Sequence, residues 1–161
     1  MTELIQIITA TVGSLGFGIL FNVRNRRLIA VAIGGGVAWV LYLLFFALTE
    51  SLGISYFLIS LIIALYAEVM ARTFKCPAIV FISPSLIPLV PGASLYYTMS
   101  HALSSNTESF VTSALTTVTA AAALAIGIIT ATIATKLFTN VYARVIARIK
   151  QSKERKQNKN I

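Results

Sequence analysis

The chain reads as an all-α integral membrane protein with five transmembrane segments, the fourth discontinuous at a proline-rich break. Three observations carry that reading. The 161 residues are 57% hydrophobic and only 11% charged, whereas a soluble domain carries about 25% charged residues. The apolar residues gather in five runs, each close to the roughly 20 residues a helix needs to cross the hydrocarbon core. The connections between runs alternate between basic and non-basic, as the two sides of a membrane do.

The first run is Leu4 to Phe21, closed by Asn22 and the basic turn Arg24, Arg26, Arg27. The opening MTELIQIITA has an acid and no base, so it lacks a signal peptide's basic n-region and reads as a retained helix. Leu28 to Leu48 follows, ended by Glu50 and Gly53; then Ile54 to Met70, ended by Arg72 and Lys75. Ala78 to Leu103 is long enough to cross but holds Pro84, Pro88 and Pro91. Phe110 to Ala134 is the fifth, followed by Lys136. The first and third connections are basic, while the second and fourth hold Glu50 and Glu108 and no base. Lys and Arg stay on the cytoplasmic side, which places the N-terminus outside and the C-terminus inside. A re-entrant fourth segment would put the basic tail outside, against the charge rule. Two units result: a transmembrane domain, 1–136, and a basic tail, 137–161, with seven bases and one acid. In the tail Val141, Val145 and Ile149 share one helical face, and Arg144 and Arg148 another. It is expected to lie on anionic lipid or a partner and then fray.

Small residues recur every fourth position on two runs: Ala10, Ser14, Gly18 and Ala123, Gly127, Ala131. In lipid such columns let helix backbones approach, and Gly34-Gly35-Gly36 in the second run fits the same role. Tight packing within one bundle is the plain expectation. No internal repeat is visible. Five helices are too few for the two-halved symmetry of many transporters, so the chain reads as one half, completed by something else.

The stretch CPAIVFISPSLIPLVPGASLYYTMSH, Cys76 to His101, is the most informative. Three prolines within eight residues cannot all sit in one regular helix, and lipid offers no donors to the freed carbonyls. Broken backbone at membrane depth survives only inside protein or beside a water-filled cavity. The break is expected between Ser83 and Gly92, with a half-helix restarting near Pro91. That half-helix points unpaired N–H groups and a positive dipole end into the membrane interior, an arrangement transporters use to hold a substrate carboxylate. Gly92 leaves room for a ligand, and Ser83, Ser85 and Ser94 offer hydroxyls. The candidate substrate-binding residues are Ser85, Pro88, Pro91, Gly92, Ser94 and Tyr97. The plainer alternative is a packing kink, although one proline suffices for that.

PSLIPLVPGASLYYTM resembles the signature of the threonine/serine exporter family, specifically its small split subunit, and GFGILFNVRNRR resembles the same subunit. The likeness runs through the whole chain in helix order and is sharp at these two stretches. It implies export of small carboxylate-bearing metabolites, threonine and serine in some members and succinate and related dicarboxylates in others. It also implies a larger partner subunit with the remaining half of the transporter, and a bacterial cytoplasmic membrane. Single-chain members carry an additional N-terminal half that this sequence lacks, so this chain alone is not expected to transport.

Glu68 is the acid nearest a membrane interior, and an intramembrane carboxylate is a default candidate for proton coupling. Arg72 lies one turn later, so an interfacial ion pair is the plainer reading. His101 near the outer mouth is a pH-sensor candidate or a solvated interfacial residue. Lys136 snorkels to the interface or balances a carboxylate. Thr112, Thr116 and Thr119 line a polar path or bond their own helix. Trp39, Tyr42, Tyr56, Tyr96 and Tyr97 include candidate belt anchors. The single Cys76 and single His101 exclude an intramolecular disulfide and a Cys/His zinc site within one chain. Neither cofactor nor metal is expected, nor an enzyme: there is no GxSG element and no ligand cluster. The net charge of +8 lies in topological clusters with no aromatic stacking platform, which argues against nucleic acid. Substrate, membrane lipid and further copies of the chain are the other partners the reading admits. A non-transporting scaffold or regulatory subunit is the alternative function.

Overall fold

The computed structural model describes the backbone of residues 1–104 and 106–157, with side chains through 141 and at 144, Ser105 excepted. Every regular element among them is helical: α1 (Thr2–Leu20), α2 (Arg26–Thr49), α3 (Leu52–Phe74), α4 (Ile79–Leu86), a 3-10 turn (Ile87–Leu89), α5 (Gly92–Leu103) and α6 (Thr107–Gln157). Four helices are long and apolar enough to cross a membrane: α1, α2, α3 and the Thr107–Val141 part of α6. The Ile79–Leu89 and Gly92–Leu103 pieces pass the same test together, bent by 52° at their break, for up to five spans.

α2 is the hub, because its three glycines pack against α1, α3 and α4. A Cβ at Gly34 would strike Ser85 of α4 and Tyr66 of α3. One at Gly35 would strike Ser14 of α1, and one at Gly36 would strike Thr11. The first small column, Ala10, Ser14 and Gly18, is the buried face of α1, as its spacing indicated. In the second column Gly127 and Ala131 are buried, and Gly127 packs against Ser60 and the Phe57 carbonyl of α3. Ala123 stays half-buried, and Ala120 and Leu124 complete that face instead.

The core is small: Val31, Ala38, Ile59, Ile63, Ala67, Phe81 and Leu89 are its most enclosed members. Leu4, Ile8, Ile29, Ile33, Leu44, Val69, Leu115, Ile126 and Ile129 lie on the exterior. Such an outer surface suits a lipid solvent and would be a liability in water. Ser14 Oγ is buried without a hydrogen-bond partner among the described residues, while two other inward polar groups are paired at close range. Tyr66 donates to the Ala30 carbonyl (2.8 Å), and Ser85 Oγ donates to the Val31 carbonyl (3.3 Å).

Pro84 lies inside α4, so the irregular stretch is Ile87 to Pro91 and not the whole of Ser83 to Gly92. A ring at Pro84 only removes the helical donor to the Val80 carbonyl near the start of a short helix. Pro88 sits in the 3-10 turn and Pro91 caps α5. α6 runs without interruption across residue 137, so the start of the tail continues the last membrane helix. The side chains of Val145, Arg148 and Ile149, and residues 158–161, lie outside the described residues.

Candidate functional site

The first site element is the turn joining α1 to α2. Asn22 and Asn25 both take positive φ, 58° and 57°, and Asn25 pairs this with ψ −138°, outside the left-handed helical region. The Asn22 N–H donates to the Ile19 carbonyl and the Val23 N–H to the Gly18 carbonyl, each at 2.9 Å. Val23 turns inward and is buried, which anchors the turn. Arg24 Nε donates to Asn22 Oδ1 (3.0 Å). Arg27 reaches across to donate to the Phe74 carbonyl (3.2 Å), one of the acceptors that the end of α3 leaves unpaired. Arg24, Arg26 and Arg27 together with Asn22, Asn25, Phe21, Phe74 and Val80 line an open cleft of about 910 Å³. No carboxylate pairs with these arginines among the described residues, where Glu68–Arg72 (3.5 Å) is the ion pair present.

The cleft continues along α4. A cavity of about 220 Å³ shares Phe21, Val23 and Val80 with it and extends to Ile79 and Ser83. Ser83 stands one turn before the irregular stretch. Beyond that stretch's start lies a third cavity, of about 500 Å³, lined by Gln6, Thr9, Ala10, Gly13, Phe17, Trp39, Ile87 and Pro88. Trp39 Nε1 donates to Gln6 Oε1 across it (3.3 Å). Phe17 belongs to this cavity and Phe21 to the other two, and their rings lie 6.5 Å apart. One face of α1 therefore links the arginine turn to the break, with the two phenylalanines between.

The second site element is the start of α5. The Gly92 N–H turns back to the Val90 carbonyl (2.6 Å), and the Leu95 N–H makes the first helical bond, to Pro91 (3.0 Å). The Ala93 and Ser94 N–H groups are thus the free donors of the first turn. A Cβ added at Gly92 would meet nothing within 4 Å. No residue of α5 is buried, and its only extensive contact is with α6, including a Thr98–Thr117 hydroxyl pair (3.3 Å).

The chain matches the family model described as "Threonine/Serine exporter, ThrE" over residues 6–134. It belongs to the threonine/serine exporter family. Curated proteins and solved structures gave no significant match. Membership in this exporter family assigns the helical, apolar architecture to membrane transport, and the matched range runs from the first turns of α1 through residue 134 of α6.

Within this exporter the six residues expected to bind substrate do not form one cluster. Ser85 is enclosed against α2 and bonds its backbone. Pro88 lines the cavity beside Trp39. Pro91, Gly92, Ser94 and Tyr97 follow on α5, where Gly92 and Tyr97 are exposed. Tyr97 packs edge-on to Tyr96 (5.6 Å) and parallel to the His101 ring (6.4 Å). Glu68 is held in its i,i+4 pair with Arg72, and Arg72 also donates to Thr139 of α6 (3.1 Å). Thr112 and Thr116 bond their own helix carbonyls, while Thr117, which also bonds the Ser113 carbonyl, pairs with Thr98 of α5. Trp39, Tyr42 and Tyr56 form a ring cluster, with Tyr42 5.4 Å from Trp39 and 5.6 Å from Tyr56. Gln6, Thr9 and the walls around Arg24 escaped sequence reasoning. Gln6 was the one signal: an amide near the start of an apolar helix.

Proposed function

We propose that this exporter-family chain is one half of a secondary transporter for small carboxylate-bearing metabolites, threonine and serine or dicarboxylates such as succinate, completed by a larger partner subunit. The observation that carries the reading is the open α5. Its first turn starts from irregular backbone within a candidate membrane segment, yet one side of it faces no protein. Lipid cannot satisfy such backbone, so either a second protein surface or a water-filled cavity belongs there, and a partner half would supply both. The free N–H groups of Ala93 and Ser94, the dipole of α5 and the hydroxyl of Ser94 are suited to a carboxylate. Gly92 leaves the approach clear. In this reading α4 and α5 form one broken crossing, giving five spans with the N-terminus outside. Glu68, near the basic end of α3, is the candidate for coupling to protons.

The test is flux. Proteoliposomes holding this chain alone are expected to show no counterflow of labelled threonine or succinate, and those holding both subunits are expected to show it. Robust counterflow by the single chain refutes the half-transporter reading. Assembly with the partner but no flux of any carboxylate would favour a scaffold.

A further inference from the structure

The arginine turn does more than orient the chain in the membrane. A topology signal needs only charge on the correct side, and flexible basic side chains supply that. Here the turn is built. Two asparagines adopt positive φ around Val23 and Arg24, Val23 is buried beneath them, and Asn22 clips the Arg24 guanidinium. Arg27 is tied to the end of α3. The three arginines border one cleft of about 910 Å³. No acid pairs with them among the described residues, where the ion pair present is Glu68–Arg72. The three arginines are exposed, so water screens their mutual repulsion, and an anion entering the cleft meets all three with no carboxylate to displace.

We infer that the cleft bordered by Arg24, Arg26, Arg27 and Asn25 is an oxyanion-binding site, separate from the α5 N-terminus. Guanidinium forks match carboxylate and phosphate oxygens in the plane, often through two bonds at once. The clip from Asn22 uses Arg24 Nε and leaves its terminal nitrogens for the ligand. Two sources share this chemistry: the carboxylate of a small metabolite from the aqueous side, and the phosphate of a lipid headgroup. The adjoining cavity that reaches Ser83 gives a free anion a way onward to the break. The site does not depend on the transport reading, because it rests on the turn alone.

Calorimetric titration of the full chain in phosphatidylcholine nanodiscs, with succinate and separately with inorganic phosphate, tests the free-anion source. Native mass spectrometry of the chain from membranes containing phosphatidylglycerol tests the lipid source. Arg24→Gln and Arg26→Gln should each weaken anion binding, or retention of the anionic lipid, by about tenfold or more, as loss of a charge-assisted bond does. Arg27→Lys keeps charge for those variants in which loss of the α3 contact would unfold the turn. Lys136→Gln removes a charge outside the cleft and should leave binding unchanged. Binding of succinate or phosphate in the uncharged lipid assigns the site to a metabolite; retention of phosphatidylglycerol alone assigns it to a headgroup. Absence of both, or an equal loss in Lys136→Gln, overturns the site in favour of diffuse surface charge. Failure of the α5 mechanism would be seen separately, as Gly92→Val retaining flux while the arginine cleft still binds.

Discussion

At the scale of single residues, Gly92 and Ser94 separate a ligand site from a packing kink. A side chain at Gly92 meets no atom within 4 Å, and its φ lies outside the range that only glycine favours. Gly92→Val is therefore expected to leave membrane insertion and partner assembly intact while abolishing flux, because the branched side chain would stand where a carboxylate approaches. Normal transport by that variant would reduce the break to a kink. Ser94→Ala should weaken substrate binding by about 0.5–1.5 kcal/mol, rising toward about 3 kcal/mol if the hydroxyl bonds a full charge. A substrate amide should lose most of the affinity in the unaltered protein, since the helix end favours charge; equal binding of amide and acid rules out the dipole mechanism. Ser85, equally polar in the sequence, lies at 0% exposure and spends its hydroxyl on Val31. Its identity was legible and its occupation was not, because which face of a short helix turns inward depends on the neighbour it meets.

At the scale of elements, close helix contacts govern stability. Gly127 lies where α6 crosses α3, and an added Cβ would sit 2.6 Å from the Phe57 carbonyl oxygen. That atom belongs to backbone and cannot rotate away, so the two helices must part. Gly127→Ala is expected to lower thermal stability in detergent by about 1–3 kcal/mol, the usual cost of overpacking. Gly13→Ala meets nothing within 4 Å and should be neutral or stabilise α1 by about 0.5–1 kcal/mol, the helix advantage of alanine over glycine. Equal effects of the two substitutions would show that contact distance is not what matters. The four-residue periodicity of small residues was enough to foresee these contacts, since close approach in lipid demands it. The helix ends were less legible. α6 continues past Lys136 because neither proline nor glycine interrupts its backbone there. A change from apolar to basic residues alters the solvent a helix prefers without breaking its hydrogen bonds.

At the scale of the whole molecule, the alternation of charge yields a topology that labelling can check. With cysteine at Glu108 or Lys150 in a Cys76→Ser background, Glu108 should react with impermeant reagent from outside and Lys150 only after permeabilisation. Reaction of Lys150 from outside sinks the five-span arrangement and makes the bent α4–α5 pair a re-entrant loop. The sequence by itself determined the apolar, all-helical class, the column of close contact on α1 and the family, because each follows from local composition or from a short motif. Only the tertiary structure decided which polar groups remain free. Ser85 and Tyr66 are consumed by the backbone of α2, while the first turn of α5 keeps free donors and the arginines of the α1–α2 turn, bonded to Asn22 and to the Phe74 carbonyl, have no carboxylate partner among the described residues. That outcome rests on distances between residues far apart in the chain, such as the reach of Arg27 to the end of α3, and no local pattern encodes a distance across the bundle.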